Sequence, residues 1–144
     1  MELALEQARG ATASGDVPVG AVVVGPAGTV VGAGRNRREA DGDPTAHAEI
    51  LALRAAARST GSWRLDGHTL VVTLEPCPMC AGAVVLSRVA RVVIGAWDPK
   101  AGAAGSVWDI VRDRRVNNRV EVVGGVKERE CSELLLDFFT SHRL

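Results

Sequence analysis

His47, Glu49, Cys77 and Cys80 are the residues of this chain whose types and spacing could do chemistry together. Cys77 and Cys80 sit in Glu75-Pro76-Cys77-Pro78-Met79-Cys80, directly after the apolar run Leu70-Val71-Val72. A β-branched run ending in a proline-rich break reads as a strand stopping, and the apolar residues 79–86 that follow read as a buried helix. Cysteines three apart at a helix start share a face, so both sulfurs can reach one metal ion. The free N–H groups and positive dipole of that end favour thiolate over thiol. Pro78 fits there, because a first turn has no use for its N–H. Taken alone, the pair fits a metal site and a redox dithiol equally well.

The upstream stretch Pro44-Thr45-Ala46-His47-Ala48-Glu49 decides for metal. Thr45 is the predicted N-cap of a helix running through Ile50, Leu51 and Leu53 to Arg58. In mid-helix His47 and Glu49 would diverge by about 200°. In a first turn both can converge on a point off the helix end, so that two helix N-termini face one cation. One histidine and two cysteines with a fourth position open form the pattern of a catalytic zinc site. Glu49 beside the open position is then a proton shuttle for an attacking water. This H-x-E element joined to P-C-x-x-C is the signature of zinc nucleobase deaminases.

The rest of the chain supplies elements to position these residues. Leu3, Ala4, Gln7, Ala8 and Ala11 follow helical spacing up to Gly15. Residues 19–24 and 29–33 flank Gly25-Pro26-Ala27-Gly28 as a β-hairpin. Residues 35–43 form a polar loop before the histidine helix, and residues 59–67 a loop holding Trp63. Strands follow over about 68–73, 91–96 and 120–123, and helix-linked strands pair in parallel. Residues 98–106 are too rich in Gly and Ala to build a core. They lie beyond a strand end, where ligand loops belong, although a plain surface connection reads the same way. A short helix is expected over 107–115 and an amphipathic one over 126–139. Cys131 reads as core, and His68 and His142 as surface; a closed four-ligand zinc using one of them would leave Glu49 without a task.

At 144 residues, with 47% hydrophobic and 24% charged residues, residues 1–144 are expected to fold as a single domain. No segment is apolar for long enough to span a membrane, and the acidic, amphipathic start does not read as a signal peptide. Three cysteines give no disulfide framework and fit a reducing, cytoplasmic setting. A net charge of +0 argues against a nucleic-acid partner unless the cations gather locally. Arg35, Arg37 and Arg38 do cluster, as do Arg112, Arg114, Arg115 and Arg119, either as solvated surface or as phosphate contacts.

The chain resembles the bacterial tRNA-specific adenosine deaminases, within the wider cytidine-deaminase-like group. The resemblance runs nearly end to end, through Val17-Pro18-Val19-Gly20-Ala21-Val22, Asn36, residues 43–50, Trp63-Arg64-Leu65, residues 73–83, residues 98–106 and Asp137-Phe138-Phe139. It implies a three-layer α/β/α fold on a five-stranded mixed sheet, an N-terminal antiparallel hairpin followed by mostly parallel strands. It implies one Zn2+ per chain on His47, Cys77 and Cys80, with Glu49 as the catalytic proton carrier. Asn36, Ala48, Val19, Pro76 and Asp98 would bind substrate, and Arg35, Arg37, Arg114, Arg115 and Arg119 the RNA backbone. The implied reaction is hydrolysis of adenosine to inosine at the wobble position of a tRNA anticodon stem-loop, by a cytoplasmic homodimer. The apolar helix over 79–86 agrees with a partner surface, since it needs cover on every side.

Departures from the family pattern fall where an RNA would be read. Trp97 replaces a more usual charged residue and could stack on a base or cover the pocket rim. Asn118 and Arg35 stand where the family has histidine, and the tail Thr-Ser-His-Arg-Leu is short. Three other readings compete: the same chemistry on a free base or nucleoside, a thiol–disulfide oxidoreductase, and a zinc-stabilised RNA-binding module without catalysis. The H-x-E element speaks against the last two.

Overall fold

A computed structural model describes residues 1–142; Arg143 and Leu144, the end of the short tail, lie outside the described residues. The chain runs α1 (Glu2–Ala11), a 3-10 turn (Thr12–Ser14), β1 (Gly20–Val24), β2 (Val30–Arg35), α2 (Arg38–Asp41), α3 (Ala48–Thr60), β3 (Thr69–Leu74), α4 (Pro78–Leu86), β4 (Arg91–Ala96), β5 (Glu121–Val123) and α5 (Glu128–Ser141). The sheet order is β2-β1-β3-β4-β5. β1 is antiparallel to both β2 and β3, whereas β3, β4 and β5 run parallel.

Alternation along the strands builds two apolar layers. Ala21, Val23, Leu70, Val72, Val92 and Ile94 pack on Ala48, Ala52 and Ala56 of α3 and Ala81 and Val84 of α4. On the other face Val22 and Val71 meet Ala4 of α1, while Ala96 meets Leu5 of α1 and Cys131 of α5. The α/β/α sandwich expected from the sequence is therefore present, with Cys131 in its core. The alanines of α3 lie so close to β2 that a Cβ on Gly34 would fall 2.6 Å from the Ala48 carbonyl oxygen. That backbone-to-backbone approach fixes the N-terminus of α3 at the end of β2.

Four local expectations change. Thr45 does not cap α3; its N–H and hydroxyl both bond Asp43 Oδ1 at 2.8 Å, and His47 is the N-cap residue. No helix forms over 107–115. Asp109 and Asp113 turn back on the backbone N–H groups of Arg112 (3.3 Å) and Arg115 (2.9 Å), a local competition that disfavours helix. Val107 and Trp108 meanwhile donate to the Gly102 carbonyl at 3.0 and 3.1 Å. The loop over 98–106 does enter the core, since Ala103 and Ala104 are fully buried. The polar loop before α3 holds one helical turn, α2. Among the described residues no helix is long and apolar enough to cross a membrane.

Candidate metal centre and active site

Two helix N-termini meet at the carboxyl end of β3. His47, extended at φ −75 and ψ 151, precedes the first turn of α3, and Cys77, at φ −72 and ψ 174, stands at the same position of α4. An N-cap side chain leaves the helix axis, which is why His47 can share a site with Glu49 two residues on. Pro78 opens α4, as expected for a first-turn proline.

His47 Nδ1 lies 3.6 Å from Cys77 Sγ and 3.5 Å from Cys80 Sγ, and the three ligand atoms all fall within 4.8 Å of one another. Zinc bonds of about 2.3 Å to sulfur and about 2.0–2.1 Å to nitrogen at a tetrahedral angle put S and N about 3.5 Å apart. The donor set therefore fits zinc without rearrangement.

The electrostatics of these groups follow from their close packing. Hydrogen bonding from Cys80, against the cost of burial and with help from His47, holds the Cys77 thiol down to about 4. Cys80 is pushed up, because it donates its proton to Cys77 and is itself buried. The hydrogen bond with Cys77 raises His47 against the opposing effect of burial. Burial likewise pushes the Glu49 carboxyl up, although bonds from its own backbone and from Cys80 pull it back. A carboxyl that burial drives toward its neutral form is suited to carrying a proton between two partners.

Glu49 is 4% exposed, and it lines one pocket with Val17, Val19, Asn36, Arg38, His47, Ala48, Glu75, Cys77, Asp98 and Ala101. Asn36 Nδ2 donates to the Val17 carbonyl at 3.1 Å and Oδ1 accepts the Arg38 N–H at 3.2 Å, which holds the amide plane while leaving one N–H and one lone pair unspent. Asp98 Oδ1 accepts the N–H groups of Lys100 (3.0 Å) and Ala101 (3.3 Å). Pro76 does not line the pocket; it is buried behind Cys77 and its carbonyl accepts the Ala103 N–H at 2.8 Å.

The arginines are spread more widely. Arg35 lies over Gly10 of α1, and Arg37 is paired with Asp41 at 2.8 Å. Arg115 is paired with Asp113 at 2.6 Å, and Arg114 and Arg119 line a separate basic hollow. Arg119 precedes β5, whose Glu121 pairs with Arg91 at the start of β4, so it sits at the sheet end away from the pocket. The Trp97 indole rests across Gly124, 38% exposed, and does not line the pocket. Sequence reasoning missed Arg38 and Glu75 as pocket residues. Each lies two residues from a site residue, Arg38 after Asn36 and Glu75 before Cys77, and Arg38 also belongs to the first arginine cluster.

Residues 1–96 match the family model of the cytidine and deoxycytidylate deaminase zinc-binding region. A tRNA-specific adenosine deaminase of Bacillus subtilis is 48% identical over 99% of this chain and 88% of its own length. One from Haemophilus influenzae is 49% identical over 99% of this chain and 83% of its own. The chain belongs to the tRNA-specific adenosine deaminases of that zinc-binding family. As a member it is a zinc-dependent hydrolytic deaminase, and its five-stranded sandwich is the family fold. A solved structure from work on A-to-I editing by tRNA:A34 deaminases at the wobble position of transfer RNA superimposes on this chain with a TM-score of 0.89. It shares 43% identity and covers 94% of this chain and 97% of that one.

Proposed function

We propose that this protein, acting through residues 1–144 as one domain, converts adenosine to inosine at the wobble position of a tRNA anticodon. What carries the reading is that Glu49, a buried carboxylate, lines the same pocket as His47 and Cys77. His47, Cys77 and Cys80 would hold the zinc, which would supply Lewis acidity and lower the pKa of a water to about 7. Glu49 takes a proton from the attacking water as the C6–O bond forms, and delivers it to N1 of the ring. It then moves the hydroxyl proton to the amino group, so that the C6–N bond breaks and water plus adenosine become inosine plus ammonia. The unspent N–H and lone pair of Asn36 suit an adenine edge, with Val19 and the backbone of Ala48 around the base and Asp98 toward the flanking ribose. Arg35, Arg37, Arg114, Arg115 and Arg119 are assigned to RNA phosphates, and the work to the cytoplasm.

The test is mass spectrometry of products from a panel of anticodon stem-loops, nucleosides and free bases. Inosine in the stem-loop, with free adenosine slower by orders of magnitude, is expected, because a loop presents its base already unstacked. Affinity is expected to fall as salt rises, and Arg114→Ala with Arg115→Ala to flatten that slope. Free bases turned over as efficiently as the stem-loop, with no salt dependence, would overturn the RNA reading.

We assign the homodimer to the groove between α3 and α4. Leu86 is 74% and Trp63 63% exposed beside Ile50, Leu53 and Ala83, a continuous apolar surface of the kind that marks protein contacts. Leu86→Asp is expected to give a folded monomer by light scattering at micromolar concentration, where the unaltered protein is expected to be a dimer. A monomer before substitution would count against the assignment.

A further inference from the structure

Glu75 ends in the pocket wall, two residues before Cys77, with 2% of its surface exposed. Its Oε1 accepts the Asp98 N–H at 2.9 Å and the Ser106 hydroxyl, and its Oε2 accepts the N–H groups of Ala104 and Ser106, each at 3.0 Å. All four donors belong to residues 98–106, and among the described residues no ion pair reaches this carboxylate. A carboxylate has about four lone-pair sites, so these donors leave none over for a substrate proton. Gly102 closes the arrangement, since a Cβ there would fall 2.3 Å from Glu75 Cδ and 2.5 Å from the Asp98 carbonyl oxygen. The loop itself, Asp98-Pro99-Lys100-Ala101-Gly102-Ala103-Ala104-Gly105-Ser106, carries no large apolar side chain to anchor it.

We propose that Glu75 is a positioning residue for substrate binding: it ties the Asp98–Ser106 loop to the strand end that carries Cys77, and so holds Asp98 at the pocket mouth. The loop buries only the small side chains of Ala103 and Ala104, and the carboxylate supplies the hold that a large apolar side chain would give. Charge-assisted bonds to backbone N–H groups are roughly twice as strong as neutral ones, and a buried set of them fixes a loop in one arrangement. This assignment rests on the tRNA reading above, because Asp98 matters only to a substrate that reaches beyond the target base.

The test compares Glu75→Gln with Gly102→Ala, which pushes the loop off the carboxylate from the other side, and with the double variant. An amide turns donor against donor at one oxygen position, so the loop should detach while the metal ligands stay. Expected for Glu75→Gln are unchanged zinc content, a KM for the stem-loop raised by about tenfold or more, and kcat within about threefold. The amides of Asp98, Ala104 and Ser106 should exchange faster with deuterium. Gly102→Ala should do the same, and the double variant should be no worse than either single one, because both break one set of contacts. Ser106→Ala, which removes one donor only, should raise KM less and keeps the test open if Glu75→Gln does not fold. A collapsed kcat at unchanged KM would make Glu75 catalytic, zinc loss would make it part of the metal site, and additive single effects would separate the two contacts; each overturns the proposal. If the unaltered protein does not deaminate stem-loops, the functional reading fails on its own, while the exchange measurement still decides whether Glu75 holds the loop.

Discussion

Replacing Glu49 by glutamine is expected to leave about one zinc per chain and to lower turnover by about 10²–10⁴-fold, the usual contribution of a general acid–base group. Glu49 follows the N-cap histidine by two residues but belongs to no ligand cluster; His47, Cys77 and Cys80 form that cluster without it. It is buried at the pocket wall, where burial already pushes its carboxyl toward the neutral form. A neutral amide of the same volume costs that position little, so the fold is expected to survive and the loss to appear in kcat. Stopped turnover with KM for the stem-loop unchanged would match a group that acts on protons alone. Near-normal turnover would remove Glu49 from the reaction. Zinc loss in the same variant would make it a support of the metal instead.

Much of this site was legible because its chemistry is local in sequence. His47 with Glu49, and Cys77 with Cys80, each lie within one turn of a helix start, and short spacings translate directly into geometry. The strands were legible for a similar reason, as β-branched runs with sharp ends. What sequence could not show depends on distant partners. Thr45 has the right side chain for a cap, yet Asp43 captures it two residues away and passes the cap position to His47. Residues 107–115 have helical spacing, but the carbonyls of Gly102 and Ala103 draw the N–H groups of Val107, Trp108 and Ile110 into the loop instead. Glu75 looked like part of a motif, and only the folded chain brings four donors from 98–106 onto it. Apolarity all round α4 was legible as a need for cover, whereas the side left open, Met79 and Leu86, emerges only once the sheet has taken the other.

Stripping the zinc is expected to abolish turnover and to destabilise the fold together. A ligand that binds only the native state stabilises it by about 4 kcal/mol at a thousandfold excess over Kd. In a domain of this size about 1 kcal/mol moves Tm by about 2–4 °C, so chelation should lower Tm by about 10 °C, and stoichiometric zinc should restore both Tm and activity. Cys80→Ser is expected to mimic the stripped protein, because Cys80 is fully buried, lies 3.5 Å from His47 Nδ1 and is one of the three ligands of the cluster. The stripped protein should also expose a new reactivity. With Cys77 held down to about 4 by Cys80 and His47, it carries a thiolate at neutral pH that should alkylate quickly, and zinc should protect it. The same experiment separates the metal reading from the redox one. A dithiol enzyme would be isolated without metal and would form a Cys77–Cys80 disulfide under mild oxidant with its activity intact. A zinc deaminase should lose turnover under that oxidant in step with zinc release, since the sulfurs that form the disulfide are the ones that hold the metal.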